Sequence, residues 1–253
     1  VTGGAERPFA LSAAQERLVG EVRELAREVL VPLAAAGRAG RVNRGLVGAL
    51  GEHGLLGRVL PAAPDGRGGA SAMELCLLRE ALARESTEAE TALALQGLGG
   101  YPVAVWGSSG VRGRLLPELV AGRAVAAFAL SEPAAGSDAG GLELRAEPDG
   151  AGFRLSGTKA WISNAPEADV YTVFARTTPG SRSRGITAFV VPGDAPGLGG
   201  EALELLAPHA IGRLELDGVR VGPEQVLGGV DQGFGVAMAT LDRFRPSVGA
   251  FAV

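Results

Sequence analysis

The apolar residues of this 253-residue chain change period at Gly122. Before it they recur at helical spacing: Leu18, Val22, Leu25 and Val29 follow one another at intervals of four, three and four, which lines one face of a helix. After it the runs are short and rich in β-branched or aromatic residues, as in Val170 to Ala175 and Ile186 to Val191. A stripe of helical period cannot keep one face as a strand, so the switch predicts a helical half followed by a β half.

Local punctuation refines both halves. Ser12 with Gln15 forms a capping-box pair, predicting a helix from about Ser12 to Leu33 with Pro32 near its end. Asn43 caps a second helix carrying Leu46, Val47 and Leu50, which Gly51 and Gly54 help to end. Pro61 to Gly69 reads as a loop, and Ser71 opens a helix through Met73, Leu75, Leu78 and Leu82. Glu88 to Trp106 and the stretch holding Val111, Leu115, Leu116 and Leu119 complete a bundle over residues 1–122. In residues 123–230, Phe153 to Leu155 lead into Lys159 to Ile162, and Asp217-Gly218 between Leu214 to Leu216 and Val219 to Val221 predicts a hairpin. Short strands between turns predict a β-barrel or sandwich. From Gly233 a helical pattern returns with Val236, Met238 and Leu241, the start of a further helical domain over residues 231–253. The expected class is α+β multidomain.

Composition narrows the function. With 46% hydrophobic and 21% charged residues the chain reads as a soluble globular protein, and a net charge of −4 without a basic run argues against nucleic acid or an anionic membrane as partner. No apolar segment is long enough to span a bilayer, and residues 1–20 lack a secretory pattern. Cys76 is the one cysteine, which excludes an internal disulfide or a multi-Cys metal site and fits a reducing cytoplasm. His53 and His209 stand isolated, so a His-based metal centre or triad has no support, and glycine-rich dinucleotide, P-loop and serine-elbow motifs are absent.

Two stretches remain that suggest a ligand. Ala124 to Asp138, AVAAFALSEPAAGSD, runs as a strand into Ser131-Glu132-Pro133 and a turn through Gly136, Ser137 and Asp138. With no Cβ on Gly136, backbone N–H groups and hydroxyls can approach an anion or a heteroaromatic edge. Gly157 to Asn164, GTKAWISN, again runs along a strand into a polar turn and contains Lys159, the only lysine. Ser131 and Ser163 past two strand ends, with the Trp161 indole beside them, would make a flat slot with polar edges. Glu132 and Asp138 are expected to cap backbone amides rather than to act as acid and base.

These two stretches, with GITAFVVP, LDGVRV, VLG and GFGVAMATLDRFRPSVG behind a helical N-terminal half, resemble the acyl-CoA dehydrogenase family over essentially the whole chain. The resemblance implies a helical N-terminal domain, a central β domain and a C-terminal four-helix domain, of which this chain would hold the first two and the start of the third. It implies FAD as cofactor, with Phe128, Leu130 and Ser131 against the isoalloxazine, Gly136 and Ser137 near the pyrophosphate and the acyl-CoA, and Trp161, Ile162 and Ser163 covering the ring. Asp242 and Arg245 match helix positions near the thioester and CoA arm, and the helix with Thr91, Ala94, Leu95, Leu98 and Tyr101 matches the one lining the acyl pocket. The implied reaction is α,β-dehydrogenation of an acyl-CoA or acyl-carrier thioester, with electron-transferring flavoprotein as acceptor and a homo-oligomeric assembly. The catalytic glutamate is expected beyond Val253, with no catalytic base inside the chain. A flavin oxidase or monooxygenase of the same superfamily, or a catalytically silent binding fragment, are the alternatives.

Overall fold

The computed structural model describes residues 10–62 and 69–253, so most of the expected loop over 61–69 lies outside the described residues. The first helix runs as α1 (Ala13–Leu25), one π turn at Ala26–Leu30, and α2 (Val31–Ala35). Its capping box is present: the Gln15 N–H donates to Ser12 Oγ at 3.3 Å while the Ser12 N–H donates to Gln15 Oε1 at 2.8 Å. Asn43 caps α3 (Arg44–Glu52), α4 (Leu55–Val59) follows a left-handed Gly54, and Ser71 caps α5 (Ala72–Ala83). The bundle is completed by α6 (Thr87–Trp106) and α7 (Ser109–Val120).

The strands are β1 (Ala126–Ala129), β2 (Arg145–Asp149), β3 (Gly152–Ser163), β4 (Val170–Arg176), β5 (Ile186–Pro192), β6 (Leu198–Ala202), β7 (Ile211–Val221) and β8 (Val226–Leu227). They join in one mixed sheet in the order β6-β7-β3-β2-β4-β5-β8, with β1 also paired to β4. The two ends of this order do not pair, so the expected barrel or sandwich is instead a single sheet that stays open. The sheet branches at β4. One of its edges pairs along its whole length with β5, while the other is divided between β1, at Val170 to Val173, and β2, at Arg176. Residues 130–144 leave the sheet where that edge changes partner, and the turn containing Ser131 and Ser137 lies there.

The Asp217-Gly218 hairpin is also corrected. Both expected strands belong to the continuous β7, and Gly218 sits at φ 68° inside it. Leu155 pairs with Val219 and Gly157 with Leu216, so β7 carries one extra residue opposite β3. Gly takes the left-handed conformation without a Cβ clash, and this lets the dipeptide serve as a bulge as well as a turn.

Helix α6 is pressed onto β1. A Cβ on Gly99 would lie 2.7 Å from the Ala127 nitrogen, and Gln96, fully buried, accepts from the Ala126 N–H at 2.9 Å and donates to the Ala124 carbonyl at 2.7 Å. The last helix, α8 (Gly233–Phe251), packs on α5, α6 and β5. Below this seam Tyr171, Phe174 and Phe189 are fully buried, each contributing roughly 1.5–3 kcal/mol through removal of apolar surface from water.

Candidate functional site

Between β1, α6 and α8 lies a cleft of about 530 Å³. Its sheet side is Ala127, Phe128, Leu130 and Ser131; Leu95 and Leu98 come from α6, and Phe234, Met238, Leu241 and Arg245 from α8. The α8 residues follow at intervals of four, three and four, so one helix face lines the cleft. Gly136 to Gly140 form one rim and Arg182 with Ser183 another, while Trp161 and Ser163 close the end of β3.

Trp161 owes its position to a bulge. Lys159 pairs with Leu214 and Ile162 with Gly212, so β3 gains a residue there, and Trp161 stands at φ 60° with 60% of its surface exposed. Left-handed backbone is costly for a bulky side chain, and an observed outlier of this kind is motivation for a functional reading. The bulge also frees the Ala160 N–H, which donates to the Ser131 carbonyl at 3.0 Å and thereby ties the two serine-bearing segments together. Asn164, at φ 66°, donates from Nδ2 to the Ala126 carbonyl at 2.8 Å and fixes the end of β3 against β1.

Lys159 clamps the residues on both sides of Ser131. Its ammonium is completely buried and donates to the Leu130 carbonyl at 3.0 Å and to Glu132 Oε1 at 2.8 Å. The Glu132 carboxylate also accepts the N–H groups of Glu143, at 2.6 Å, and Leu144, at 3.0 Å. Burial pulls the Lys159 ammonium down from 10.5 to about 8, against the opposing pull of the Glu132 carboxylate. Glu132 is thus the amide cap that its turn position suggests, and Asp138 is engaged at the rim by Arg182.

The structure brings together Phe128, Leu130, Ser131, Gly136, Ser137, Trp161, Ser163, Leu95, Leu98 and Arg245. It does not place Ile162, Ala94, Thr91, Tyr101 or Asp242 on the cleft wall. Ile162 is 1% exposed beside its bulge, Ala94 is buried, and the Tyr101 ring packs edge-on to Trp106 and Phe244 beneath the Arg243 guanidinium. Asp242 is exposed and accepts from Arg245 at 3.0 Å. Sequence reasoning missed Arg182 and Ser183, which sit in a polar loop without a pattern, and Phe234, whose four-residue interval to Met238 was available as a signal.

The hydroxyls of Ser131, Ser137 and Ser163 bond to no protein group among the described residues, although all three line the cleft. A Cβ built on Gly136 would meet no protein atom within 4 Å, so the protein's own packing does not require glycine there. Free hydroxyls, an exposed indole and an uncrowded glycine rim suit a planar ligand with hydrogen-bonding edges and an anionic arm. Among the described residues no group of carboxylates, histidines and cysteines is placed to hold a metal ion.

Residues 12–123 match the family profile "Acyl-CoA dehydrogenase, N-terminal domain", and residues 127–219 match "Acyl-CoA dehydrogenase, middle domain". The chain is 37% identical over 242 residues to cyclohexane-1-carbonyl-CoA dehydrogenase of Geobacter metallireducens, an alignment covering 94% of this chain and 63% of that protein. Its fold superposes on butyryl-CoA dehydrogenase from Megasphaera elsdenii with a TM-score of 0.85 and 29% identity, covering 96% of this chain and 66% of the other. A glutaryl-CoA dehydrogenase from Mycobacterium smegmatis in complex with FADH2 gives a TM-score of 0.83 and 28% identity over 96% of this chain and 62% of the other. The chain spans a little under two thirds of the length of these relatives. Matched to both domain profiles in order and to these relatives over nearly all of its length, the chain belongs to the acyl-CoA dehydrogenase family.

Proposed function

We propose that this chain supplies the flavin- and thioester-facing part of an FAD-dependent acyl-CoA dehydrogenase. One observation carries the reading: Ser131, Ser163 and Trp161, drawn from two separate strand ends, meet at one cleft whose remaining walls are the apolar side chains of α6 and α8. Ser131 and Ser163 would donate or accept at the polar edge of the ring, and Trp161 would cover its exposed face. Ser137, beside the open Gly136, would meet the phosphate arm or the thioester. Leu95, Leu98, Met238 and Leu241 would exclude water from the acyl chain. The flavin, when bound, supplies the two-electron acceptor that this chain's own side chains lack.

Dehydrogenation removes a proton from Cα of the thioester and a hydride from Cβ, leaving a trans double bond between them. Asp138 is the one carboxylate lining the cleft among the described residues, and it is held by Arg182 at the rim. The proton acceptor is therefore assigned outside the residues that line this cleft, and the protein groups here bind, orient and keep the reacting carbons dry. Electron-transferring flavoprotein and further copies of the chain are the expected partners in the completed enzyme.

The test uses the full-length protein. Purified wild type should carry flavin, and anaerobic addition of an acyl-CoA should bleach its visible absorbance. Ser131→Ala and Ser163→Ala should each lower flavin content or slow the bleaching by about tenfold, the loss of one charge-assisted or buried hydrogen bond. Unaltered flavin content and bleaching rate in both variants would remove these hydroxyls from the site.

A further inference from the structure

Asp231 lies three residues before Phe234, the first α8 side chain on the cleft wall, and does not itself line the cleft. Its carboxylate accepts the Thr177 hydroxyl on Oδ1 at 2.6 Å and the Thr178 hydroxyl on Oδ2 at 2.7 Å. Its N–H donates to Thr187 Oγ1 at 2.7 Å, and the Thr177 and Thr187 hydroxyls lie 2.7 Å apart. A hydroxyl has a single proton, and that of Thr177 goes to Asp231, so Thr187 donates to Thr177 and the bonds close into a ring. Thr187 is fully buried, where such a ring is strongest. Thr177 and Thr178 are also the neck of the loop that brings Arg182 and Ser183 to the cleft, for both of their N–H groups donate to the Gly185 carbonyl, at 2.9 and 3.2 Å. On the other side of Asp231, α8 starts without a side-chain cap. Its first residue, Gly233, sits so close to β5 that a Cβ would lie 2.4 Å from the Ala188 nitrogen. Asp231 stands at φ 64°, a left-handed conformation that glycine would hold without strain.

We infer that Asp231 is a positioning residue, which clasps the start of α8 to the neck of the Arg182 loop and so sets the gap between these two walls for the acyl thioester. This rests on the dehydrogenase reading above and adds to it a residue from outside the cleft lining. Left-handed backbone at a non-glycine residue persists where the surroundings over-determine it. Here the determinant is the carboxylate, whose two oxygens reach both threonines of the neck through charge-assisted bonds. A helix entered without a cap leaves the orphan N–H groups of its first turn without a side-chain partner, and a shift of that turn would move every residue on its face. Anchored at Asp231, with Gly233 against β5, α8 keeps Phe234 and Met238 in place relative to the Arg182 loop. Ser131 follows β1, and Trp161 and Ser163 end β3, so the groups assigned to the ring stand outside the clasp.

The test mixes flavin-loaded, full-length protein anaerobically with butyryl-, octanoyl- or palmitoyl-CoA, whichever bleaches wild type fastest. Bleaching over a range of concentrations gives a half-saturating concentration and a limiting rate. Asp231→Gly keeps the left-handed backbone and removes the carboxylate; it should raise the half-saturating concentration about fivefold or more, while flavin content and limiting rate stay within about twofold of wild type. Asp231→Asn, which offers Oδ1 to one threonine and Nδ2 to the other, should stay within about twofold of wild type on all three measures. Thr178→Val cuts the loop end of the clasp alone and should raise the half-saturating concentration about threefold. Combined with Asp231→Gly it should add nothing, because the two share one contact. A carboxylate that merely stabilises the fold would lower melting temperature or flavin content and leave the half-saturating concentration where it was, and that result in Asp231→Gly overturns the inference. An Asp231→Asn variant as weak as Asp231→Gly, or a double variant in which the two effects multiply, overturns it too. If Asp231→Gly does not fold, Thr178→Val decides alone, an unchanged half-saturating concentration refuting the clasp. Should wild type hold flavin and bleach while the variants match it, the clasp fails by itself; a wild type that bleaches with none of the three thioesters takes the dehydrogenase reading down with it.

Discussion

Lys159 and Trp161, two residues apart, do opposite things with their surroundings. Lys159 is enclosed and satisfied by Leu130 and Glu132, so removing its charge strands the Glu132 carboxylate in a buried site. Lys159→Met should lower stability by about 3–5 kcal/mol in chemical denaturation, and adding Glu132→Gln, which removes the stranded charge and keeps an acceptor for one of the two amides of Glu143 and Leu144, should restore part of it. Trp161 is exposed and sits on left-handed backbone. Trp161→Gly should therefore shift the apoprotein's melting by the equivalent of no more than about 1 kcal/mol, because relief of backbone strain offsets glycine's added chain entropy. A loss of about 3–5 kcal/mol, as for a core tryptophan, would refute that account. Flavin retention, in contrast, should fall. The sequence could flag both residues, one as the only lysine and one as a tryptophan beside two polar turns. It could not say which was interior, since the bulge between Lys159 and Ile162 shifts the register of β3.

Helices were legible where their ends carry side-chain caps: Ser12, Asn43 and Ser71 each stand where the expected helix begins. Strand connectivity was less so, because Asp217-Gly218 satisfies the requirements of a hairpin turn and of a bulge alike, and only the partner strand β3 decides between them. Close approach between elements was invisible for a similar reason, as in α6, where glycine looks merely unfavourable until β1 is placed beside it. Gly99→Ala would put a methyl group 2.7 Å from the Ala127 nitrogen, so α6 must shift from β1 at a cost of about 1–3 kcal/mol. Gly113→Ala in α7, where the added carbon meets nothing within 4 Å, should instead gain about 0.5–1 kcal/mol from helix propensity. Urea midpoints of the two variants moving in opposite directions would establish that packing against the sheet, rather than helix propensity, fixed Gly99. Midpoints that rise together would place the α6 seam wrongly. The cleft's width depends on that seam, for Leu95 and Leu98 reach it from the same helix.

At the scale of the whole molecule, the site joins groups from β1, the turn after it, the end of β3, the Arg182 loop, α6 and α8, and no single stretch of sequence encodes it. The two serine-bearing motifs were readable because each is local; the walls that complete them are tertiary. The same burial that builds this junction also sets how global stability responds to alkali. The folded chain holds the Lys159 proton less tightly than the unfolded one, about 8 against 10.5, so between these values the unfolded state binds more protons. Stability therefore rises with pH across that window. Tyr171 acts in the opposite sense: desolvation pushes its phenol up to about 12 from 10.0, and the folded state binds more protons as pH passes 10. Its contribution is fully present below 10 and is lost as pH climbs toward 12. Urea midpoints of wild type should accordingly climb from pH 7.5 to a maximum near about 10 and then fall, as these two windows meet there. Lys159→Met should abolish the climb and keep the fall, whereas Tyr171→Phe should keep the climb and soften the fall. A wild-type midpoint that declines steadily from pH 8 would mean that Lys159 keeps its proton with ordinary affinity, and would refute the tight closure of protein around Lys159 beside the Ser131 turn.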